Sequence, residues 1–527
     1  MTGPVAEPNL APASRPIRRV AVIDIGTTSI RMEIAELDEQ GKAHTLEKLS
    51  QAVSIGKDTF TKGVISKPTI EECARVLKSY LRHLGQYQIS GPDQIRVVAT
   101  SAVRESTNKL AFIDRIYIAT GIEIEPLDEA EVNRLTYLGI QRDLQTEPSL
   151  ADARAIVVEV GGGSTEVLLV QGGSVLYSHT YRLGTLRLRE TLEAYQAPAF
   201  KQRQIMETQI HKTVEQMLEH IEVTGPIQMM AMGGDVRFAA THLLPECKFD
   251  SLARVELDEL EALTNRMLDL SEDRIIYRYH LSGPDAETLG PALLAYTQIA
   301  RAFNLTSILV TDSTLRDGLL KEMAVKDAWT EEFGSQIIRS ALDLGRKFEF
   351  DEAHCRHVAD LCKSLFKALR DEHHLEPRHE IILYIAALLH EIGLFVSARS
   401  SHKHSMYLIQ NSELFGLSNR DVLLVALVAR YHRRASPKPE HEGYSTLDRN
   451  DRVAIAKMAA MLRVAIALDD SRSQRIHEIR CSREEGRLVI VAPGVEDLSL
   501  EQLALRQSGT LFEETFGMSV MVRKSKV

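Results

Sequence analysis

The strongest constraint on this chain is a short turn that its sequence contains twice. The first copy runs Val20-Ala-Val-Ile-Asp24-Ile-Gly26-Thr27-Thr28-Ser29, and the second Ile156-Val-Val-Glu159-Val-Gly161-Gly162-Gly163-Ser164-Thr165-Glu166. In each, an apolar β-branched run ends in an acid, followed by one apolar residue, a Gly, two small residues and a Ser. Such a run predicts a buried strand. The turn after it lets backbone N–H groups of Gly26–Ser29 and Gly161–Thr165 converge on an anion. Asp24 and Glu159, at the strand ends, are placed to hold a hard cation such as Mg²⁺ beside that anion. One copy is compatible with an ordinary hairpin; two point to a pair of phosphate loops.

The pattern around the turns repeats as well. After Val20–Leu37, read as strand, turn and strand closed by the polar residues Asp38–Lys42, a helix follows Ser66–Pro68 with Ile70, Cys73, Leu77, Leu81 and Leu84 on one face. Strand Gln94–Thr100 leads into Ser101-Ala-Val-Arg104, then helix Asn108–Thr120 and strand Ile122–Glu125 precede Asp128-Glu129-Ala-Glu131. The second copy opens a hairpin through Val167–Val170 and Ser174–Arg182, a helix Lys201–Ile221, and a strand Pro226–Met232 ending at Gly233-Gly234-Asp235-Val-Arg237. Asp24 and Glu159 are 135 positions apart and Arg104 and Arg237 are 133 apart, which marks a duplicated α/β unit. Helix Pro291–Phe303, strand Ser307–Val310 and the turn Thr311–Gly318 end the second half. Gly233, Gly234 and Asp312 are expected on the cleft floor beyond the strand ends, where open α/β sheets bind ligands.

With 527 residues, three or four domains are expected. The boundaries read are a tail at 1–16, α/β domains at 17–140 and 141–325, a helical domain at 326–475 and a small α/β domain at 476–527. Ten of the eighteen histidines fall between His354 and His441, inside the helical part. No apolar run approaches a membrane span, and no signal peptide is evident. The five cysteines are scattered without C-x-x-C spacing, as expected of buried thiols in a reducing cytoplasm. A net charge of −10 argues against broad nucleic-acid binding, so an anionic substrate needs a local basic surface.

Asp24-Ile-Gly-Thr-Thr-Ser, Ala99-Thr-Ser-Ala-Val-Arg104, Val160-Gly-Gly-Gly-Ser-Thr-Glu166 and Asp312-Ser-Thr-Leu-Arg-Asp-Gly318 resemble the exopolyphosphatase/guanosine pentaphosphate phosphohydrolase family. Ala387-Leu-Leu-His390-Glu391-Ile-Gly393, His402-Lys-His404-Ser-Met-Tyr407, Ile409-Gln-Asn-Ser412 and Ala429-Arg-Tyr-His432-Arg433 are similar to the helical domain of its long members. The resemblance implies two ribonuclease H-like domains of the actin, sugar kinase and heat-shock ATPase superfamily, then an HD-like helical domain and a small α/β domain. It further implies Mg²⁺-assisted attack of water on a terminal phosphate. Asp24 and Glu159 match the metal-associated acids, Glu166 joins them after the second loop, and Arg104 matches an arginine close to the phosphates. Two departures are Glu159, where the family usually has Asp, and Thr28, where it commonly has Asn.

The family's base is the second of two glutamates before Ala-Arg-Leu. Here the helix reads Glu131-Val132-Asn133-Arg134-Leu135, which puts Val132 at that place. A valine cannot accept a proton, so Glu131, with Glu129 behind it, is expected to act instead. In the helical domain, His357 and His390-Glu391 resemble the metal set of His-Asp phosphohydrolases, but Glu391 replaces the Asp and Ile466 stands at the distant acid's position. A second active metal site is therefore not expected there. His402, His404, Arg430, His432, Arg433 and Arg434 are read as a basic surface for a polyanion, and Arg182, Arg187 and Arg189 as a solvated helix face. Exopolyphosphatase activity is the first expectation and guanosine pentaphosphate 5′-phosphohydrolase activity the second. A polyphosphate-binding regulator without hydrolysis is the third, and a sugar kinase is disfavoured because no sugar-site motif is evident. A cytoplasmic location is expected, and the resemblance makes a homodimer possible.

Overall fold

The first apolar run forms strand β1 (Arg18–Ile25), paired antiparallel with β2 (Ser29–Leu37), which pairs antiparallel with β3 (Ala43–Ala52). On its other side β1 runs parallel to β4 (Ile95–Ala99), which is parallel to β5 (Glu125–Pro126), giving the order β3-β2-β1-β4-β5. Strand β1 is apolar without alternation because both of its faces are covered. Ala21, Ile23 and Ile25 pack with Ile70, Cys73 and Leu77 of helix Lys67–Gln86, while Val20 and Val22 pack with Leu315 and Leu319 of helix Leu315–Ala324.

This computed structural model describes residues 17–150, 153–221, 225–246, 252–324, 331–433 and 435–524. The tail read at Met1–Pro16, Cys247 and Arg434 lie outside them. The chain forms two compact units, Met1–Ala328 and Trp329–Val527.

The second half of the first unit repeats the topology. Strands β6 (Arg154–Val160), β7 (Thr165–Gln171), β8 (Ser174–Tyr181), β9 (Ile227–Met232), β10 (Ala253–Glu256) and β11 (Ser307–Val310) lie in the order β10-β11-β9-β6-β7-β8. Read from β8, this is the first sheet's order with β11 in fifth place and β10 added antiparallel at the edge. Both halves thus carry the duplicated α/β topology that the spacing predicts, in the ribonuclease H-like order that the resemblance implies.

Two local expectations shift. The strand read at Ile122–Glu125 is only Glu125–Pro126, although Ile122 and Ile124 are buried. The helix read from Pro291 begins eight residues earlier, in Gly283–Ala302, where the Ser282 hydroxyl caps it by accepting from the Asp285 N–H. Proline at 291 cannot donate to the Glu287 carbonyl, and Arg189 Nη1 donates to that carbonyl instead, at 3.4 Å.

Helices Glu129–Thr146 and Leu315–Ala324 cross in close backbone contact, so the end of the second half packs against the first sheet. A Cβ on Gly139 would stand 2.8 Å from the Thr314 carbonyl oxygen, and one on Gly318 would run into the Leu135 carbonyl oxygen. Beside this crossing, Glu322 is paired with Arg96 and, at 2.7 Å, with Arg134; these charges hold its carboxyl below the usual range against the opposing effect of burial.

In the second unit, helices Glu331–Lys347, Glu352–Ala368, Arg378–Leu389, Ser401–Gln410, Asn419–Arg430 and Arg449–Leu468 are followed by β12 (Arg480–Glu484), β13 (Arg487–Ala492) and β14 (Ser519–Lys524). These form a three-stranded sheet in the order β12-β13-β14. Among the described residues, no helix is long and apolar enough to cross a membrane.

The crossing generates a stability prediction. Gly318→Ala places a methyl group against backbone that cannot rotate away, which is expected to cost about 1–3 kcal/mol. Urea unfolding followed by circular dichroism measures it, and an unchanged midpoint would show that the helices slide apart freely.

Candidate functional site

The two turns are built alike. The Gly26 N–H donates to the Ser29 carbonyl at 3.0 Å, and the Gly161 N–H to the Ser164 carbonyl at 2.8 Å. Each turn also receives the start of a following helix. Gly56 N–H donates to Thr27 O at 2.8 Å from helix Ile55–Lys62, and Leu186 N–H to Gly162 O at 3.0 Å from helix Thr185–Ala194. Closure consumes the Gly26 and Gly161 amides, so an anion must be held by other groups of the turns. None of Gly26, Gly161, Gly162 or Gly163 has a positive φ. Glycine is required at the second turn for proximity: a Cβ on Gly162 would collide with the Thr27 side chain, and one on Gly163 would stand 2.5 Å from Ser101 Oγ. The two turns therefore touch.

A cavity of about 280 Å³ opens where they meet. It is lined by Asp24, Gly26, Thr27, Thr28, Ser29, Arg104, Glu159, Gly161, Gly162, Ser164, Glu166, Gly233 and Gly234, which are most of the site residues expected from sequence. Gly233, at φ 119°, leaves its Cβ position 3.0 Å from the Tyr296 hydroxyl, so both conformation and space favour glycine there. Tyr296 in turn accepts from the Val160 N–H at 2.9 Å and donates to the Met232 carbonyl, tying the ends of β6 and β9 together.

Five expected residues are not in the lining. Gly163 packs against Ser101 and Phe60, and Thr165 is a fully buried strand residue whose hydroxyl donates to Leu183 O at 2.5 Å. Glu131 is turned back into a capping box: its Oε2 accepts from the Asp128 N–H at 3.1 Å, while its own N–H donates to Asp128 Oδ1 at 2.9 Å. Glu129 is exposed and lies 3.7 Å from Arg104 Nη2. Val132, between the helix cap and Asn133, faces the cavity in their place. Asp312 also stays outside the lining, near Asp143 and Asp317.

Strand register explains the charge pattern. Asp24 pairs across its hairpin with Arg31, and Glu159 pairs across its own with Glu166. Both partners stand seven positions after the acid, a signal present in the sequence but not used there. Arg31 also lines the cavity, so one repeat presents an acid with a cation and the other presents two acids. Burial raises the Glu159 carboxyl, Arg237 opposes this, and Asp24 adds to it. Burial, with Glu159 beside it, pushes Glu166 up to about 7, although Ser164 Oγ donates to its Oε1 at 2.6 Å. Asp24 Oδ1 is buried without a hydrogen-bond partner, while Arg316 lies 3.6 Å from its Oδ2. Asp24 and Glu159 line the cavity together, with Glu166 beside Glu159, and the unpaired Oδ1 of Asp24 is the kind of oxygen donor that a hard divalent ion such as Mg²⁺ takes.

Sequence reasoning missed Arg31, Arg316, Asp235, Phe238 and Asp285. Arg316 sits inside the quoted Asp312–Gly318 motif and reaches both Asp24 and, at 3.5 Å, Glu33. Asp235, Phe238 and Asp285 line the cavity, and burial pushes the Asp235 carboxyl up to about 6. Arg187 is not solvated as expected: it grips Glu105 at 2.7 Å, donates to Gly163 O at 3.0 Å and lies over the Phe60 ring. In the second unit, burial holds the His432 ring well below its usual range, so it is neutral and contributes no charge to a basic surface near neutral pH.

The raised acids predict a pH response. Folded Glu166 keeps its proton up to about 7, whereas an unfolded Glu releases it near about 4.3. Its stabilising effect is therefore complete below the unfolded value and is lost as pH rises through the folded one. In EDTA, the melting temperature of wild type is expected to fall relative to Glu166→Gln across that window. Mg²⁺ is expected to raise the wild-type melting temperature more above it than below. Parallel curves for the two proteins would contradict this electrostatic account.

The geometry can be set beside known proteins. The model of the Ppx/GppA phosphatase family matches residues 33–327, more than half of the chain, and that of Ppx/GppA phosphatase, domain III, matches residues 338–504. A Vibrio cholerae protein named guanosine-5′-triphosphate,3′-diphosphate pyrophosphatase is 26% identical over 488 residues, covering 90% of this chain and 92% of its own length. A Photobacterium profundum protein of the same name is 23% identical over 507 residues, covering 93% of this chain and 96% of its own. The crystal structure of an exopolyphosphatase from Cytophaga hutchinsonii shares the fold with a TM-score of 0.52 at 22% identity, over 58% of this chain and 98% of that one. With two touching glycine turns, their strand-end acids and both family regions in order along it, the chain belongs to the Ppx/GppA phosphatase family.

Proposed function

We propose that this protein removes the terminal 5′-phosphate of guanosine pentaphosphate by hydrolysis. The carrying observation is its likeness, over 90% of its length, to relatives named for that nucleotide. This reverses the order expected from sequence, where polyphosphate came first. The cavity supports the nucleotide. Beyond the phosphate turns its wall includes Phe238, Leu281 and Leu289 with Asp235 and Asp285, a mixed apolar and hydrogen-bonding surface that suits a nucleoside. A bare phosphate chain offers nothing for such a wall to bind. The Phe238 ring is itself braced by His242 at 6.0 Å and Tyr279 at 5.6 Å.

In this reading Arg104 and Arg31 face the phosphoryl oxygens, with the hydroxyls of Thr27, Thr28 and Ser29 around them. Asp24 and Glu159 would hold Mg²⁺, which when bound supplies neutralisation of phosphate charge. Phosphoryl transfer needs positioning and charge balance more than covalent chemistry. The water oxygen bonds to the terminal phosphorus, the bond to the bridging oxygen breaks, and the water proton passes to a carboxylate. Glu131 and Glu166 are both raised to about 7, near working pH. Glu166 lines the cavity and Glu131 does not, so we assign proton acceptance to Glu166 and helix capping to Glu131.

Two experiments test this. Phosphate release is compared on guanosine pentaphosphate and on polyphosphate, and the nucleotide is expected to have the higher kcat/KM. Phe238→Ala is expected to lower nucleotide turnover about 10–100-fold, as loss of a base-stacking ring does, with little effect on polyphosphate. Equal loss on both substrates would reject the nucleoside wall. Separately, Glu166→Gln is expected to reduce kcat by about 10²–10⁴, while Glu131→Gln costs about 1 kcal/mol of stability and leaves kcat within a few-fold. The opposite pattern would return the base to Glu131.

A further inference from the structure

The second unit contains side chains that this chemistry leaves unused. His354, near the start of helix Glu352–Ala368, meets His390 and Glu391, which follow helix Arg378–Leu389. One ligand atom from each of the three lies within 4.8 Å of the others. Both rings are held in the tautomer that metal ligation needs. His354 Nδ1 is 2.8 Å from Asp469 Oδ2, and His390 Nδ1 is 2.7 Å from the Ala387 carbonyl oxygen. An acceptor at Nδ1 keeps the proton there and leaves Nε2 as a lone pair.

That lone pair has nothing to meet within the protein. His390 is fully buried, and its Nε2 has no hydrogen-bond partner. Glu391 engages Arg472 through Oε1 at 2.5 Å, while its Oε2 is buried and also without a partner. Buried polar groups left unpaired are costly, so two on adjacent residues call for a compensating ligand. Asp469 stands behind His354 as an orienting carboxylate, itself fixed by the Gln474 N–H at 2.8 Å. A cavity of about 520 Å³ opens on His354, Glu391, His432 and Asp469. The resemblance pairs His357 with His390-Glu391 and places the distant acid's position at Ile466. The fold brings His354 to that place instead and puts Asp469 against its far nitrogen.

We propose that His354, His390 and Glu391 bind one divalent transition-metal ion, with an open coordination position facing this cavity. Two imidazoles and one carboxylate suit Zn²⁺, Co²⁺ or Mn²⁺, whereas Mg²⁺ takes an all-oxygen set. Three protein ligands beside an open cavity are the arrangement of an ion that keeps an exchangeable position.

The test uses the full chain, stripped with chelator and titrated with Co²⁺ while its visible d–d absorption is recorded. Wild type is expected to bind one equivalent with a visible band that Zn²⁺ displaces. The near-isosteric Glu391→Gln and His354→Gln are each expected to weaken binding at least about tenfold, and Asp469→Asn about 10–100-fold through the ring it orients. Far-UV circular dichroism verifies that these variants are folded. Glu159→Gln, in the phosphate cleft, is expected to keep the band. No visible band at saturating Co²⁺ would overturn the proposal, as would a band that Glu391→Gln and His354→Gln leave unchanged.

Discussion

Everything in the first unit answers to one electrostatic demand: three carboxylates, Asp24, Glu159 and Glu166, are drawn into one cleft away from water. Burial disfavours the charged forms of Glu159 and Glu166, Asp24 raises Glu159 further, and Glu159 raises Glu166. The fold sets cations around them from separate elements. Arg31 comes from the strand paired with β1, Arg237 from the helix after β9, and Arg316 from the helix that crosses back to the first sheet. None of these is a surface salt bridge of the kind that contributes little. Arg237 is buried deeply enough that its own charge is disfavoured, and its Nη1 lacks a hydrogen-bond partner. Acids and arginines are thus both under-satisfied. In the proposed function, a cleft in that state would suit a phosphate chain with its cation, the anion meeting the arginines and the cation the acids.

Holding the two halves at this separation requires the backbones to touch. Gly162 lies against Thr27, and Gly318 lies against Leu135. The first contact closes the cleft at the turns, and the second fixes the helices behind β1. Because interiors are close-packed and do not deform smoothly, one methyl group at either place would change the distance between Asp24 and Glu159. The glycines act here through volume: the turn glycines have ordinary φ angles, so another residue could adopt the backbone but would not fit the space.

Sequence made the sheets and the turns legible because their signals are local and were repeated. The apolar runs of β1 and β6, the Gly-Ser turns and the spacing of 135 residues each follow from short stretches of chain. What it did not show depends on register and on contacts between distant segments. Arg31 and Glu166 are equivalent positions in two hairpins, which is visible only once the pairing Asp24 to Arg31 and Glu159 to Glu166 is known. The helix Gly283–Ala302 was cut at Pro291 because the donor that relieves its orphaned carbonyl, Arg189, comes from almost a hundred residues away. His354 is hidden in the sequence for the same reason: its partner Asp469 is 115 positions further on.

If Glu166 is the base, as proposed, Val132 illustrates how a site could keep its field while moving its chemistry. A glutamate there would add a fourth acid to a cleft in which Glu159 already raises Glu166. Valine removes that repulsion and leaves an apolar wall 6% exposed. The carboxyl one residue earlier is then free to cap its helix, and it does so with a proton affinity raised by burial rather than by the cleft. Glu166 differs in kind. It is raised by burial and by Glu159, so binding a cation at Asp24 and Glu159 would draw its proton off and restore it as a base when the charge of the substrate arrives. A base whose basicity is set by the same ion that neutralises the phosphate would be poised only in the loaded cleft. Such a coupling would let a hydrolase dispense with an independent glutamate at position 132.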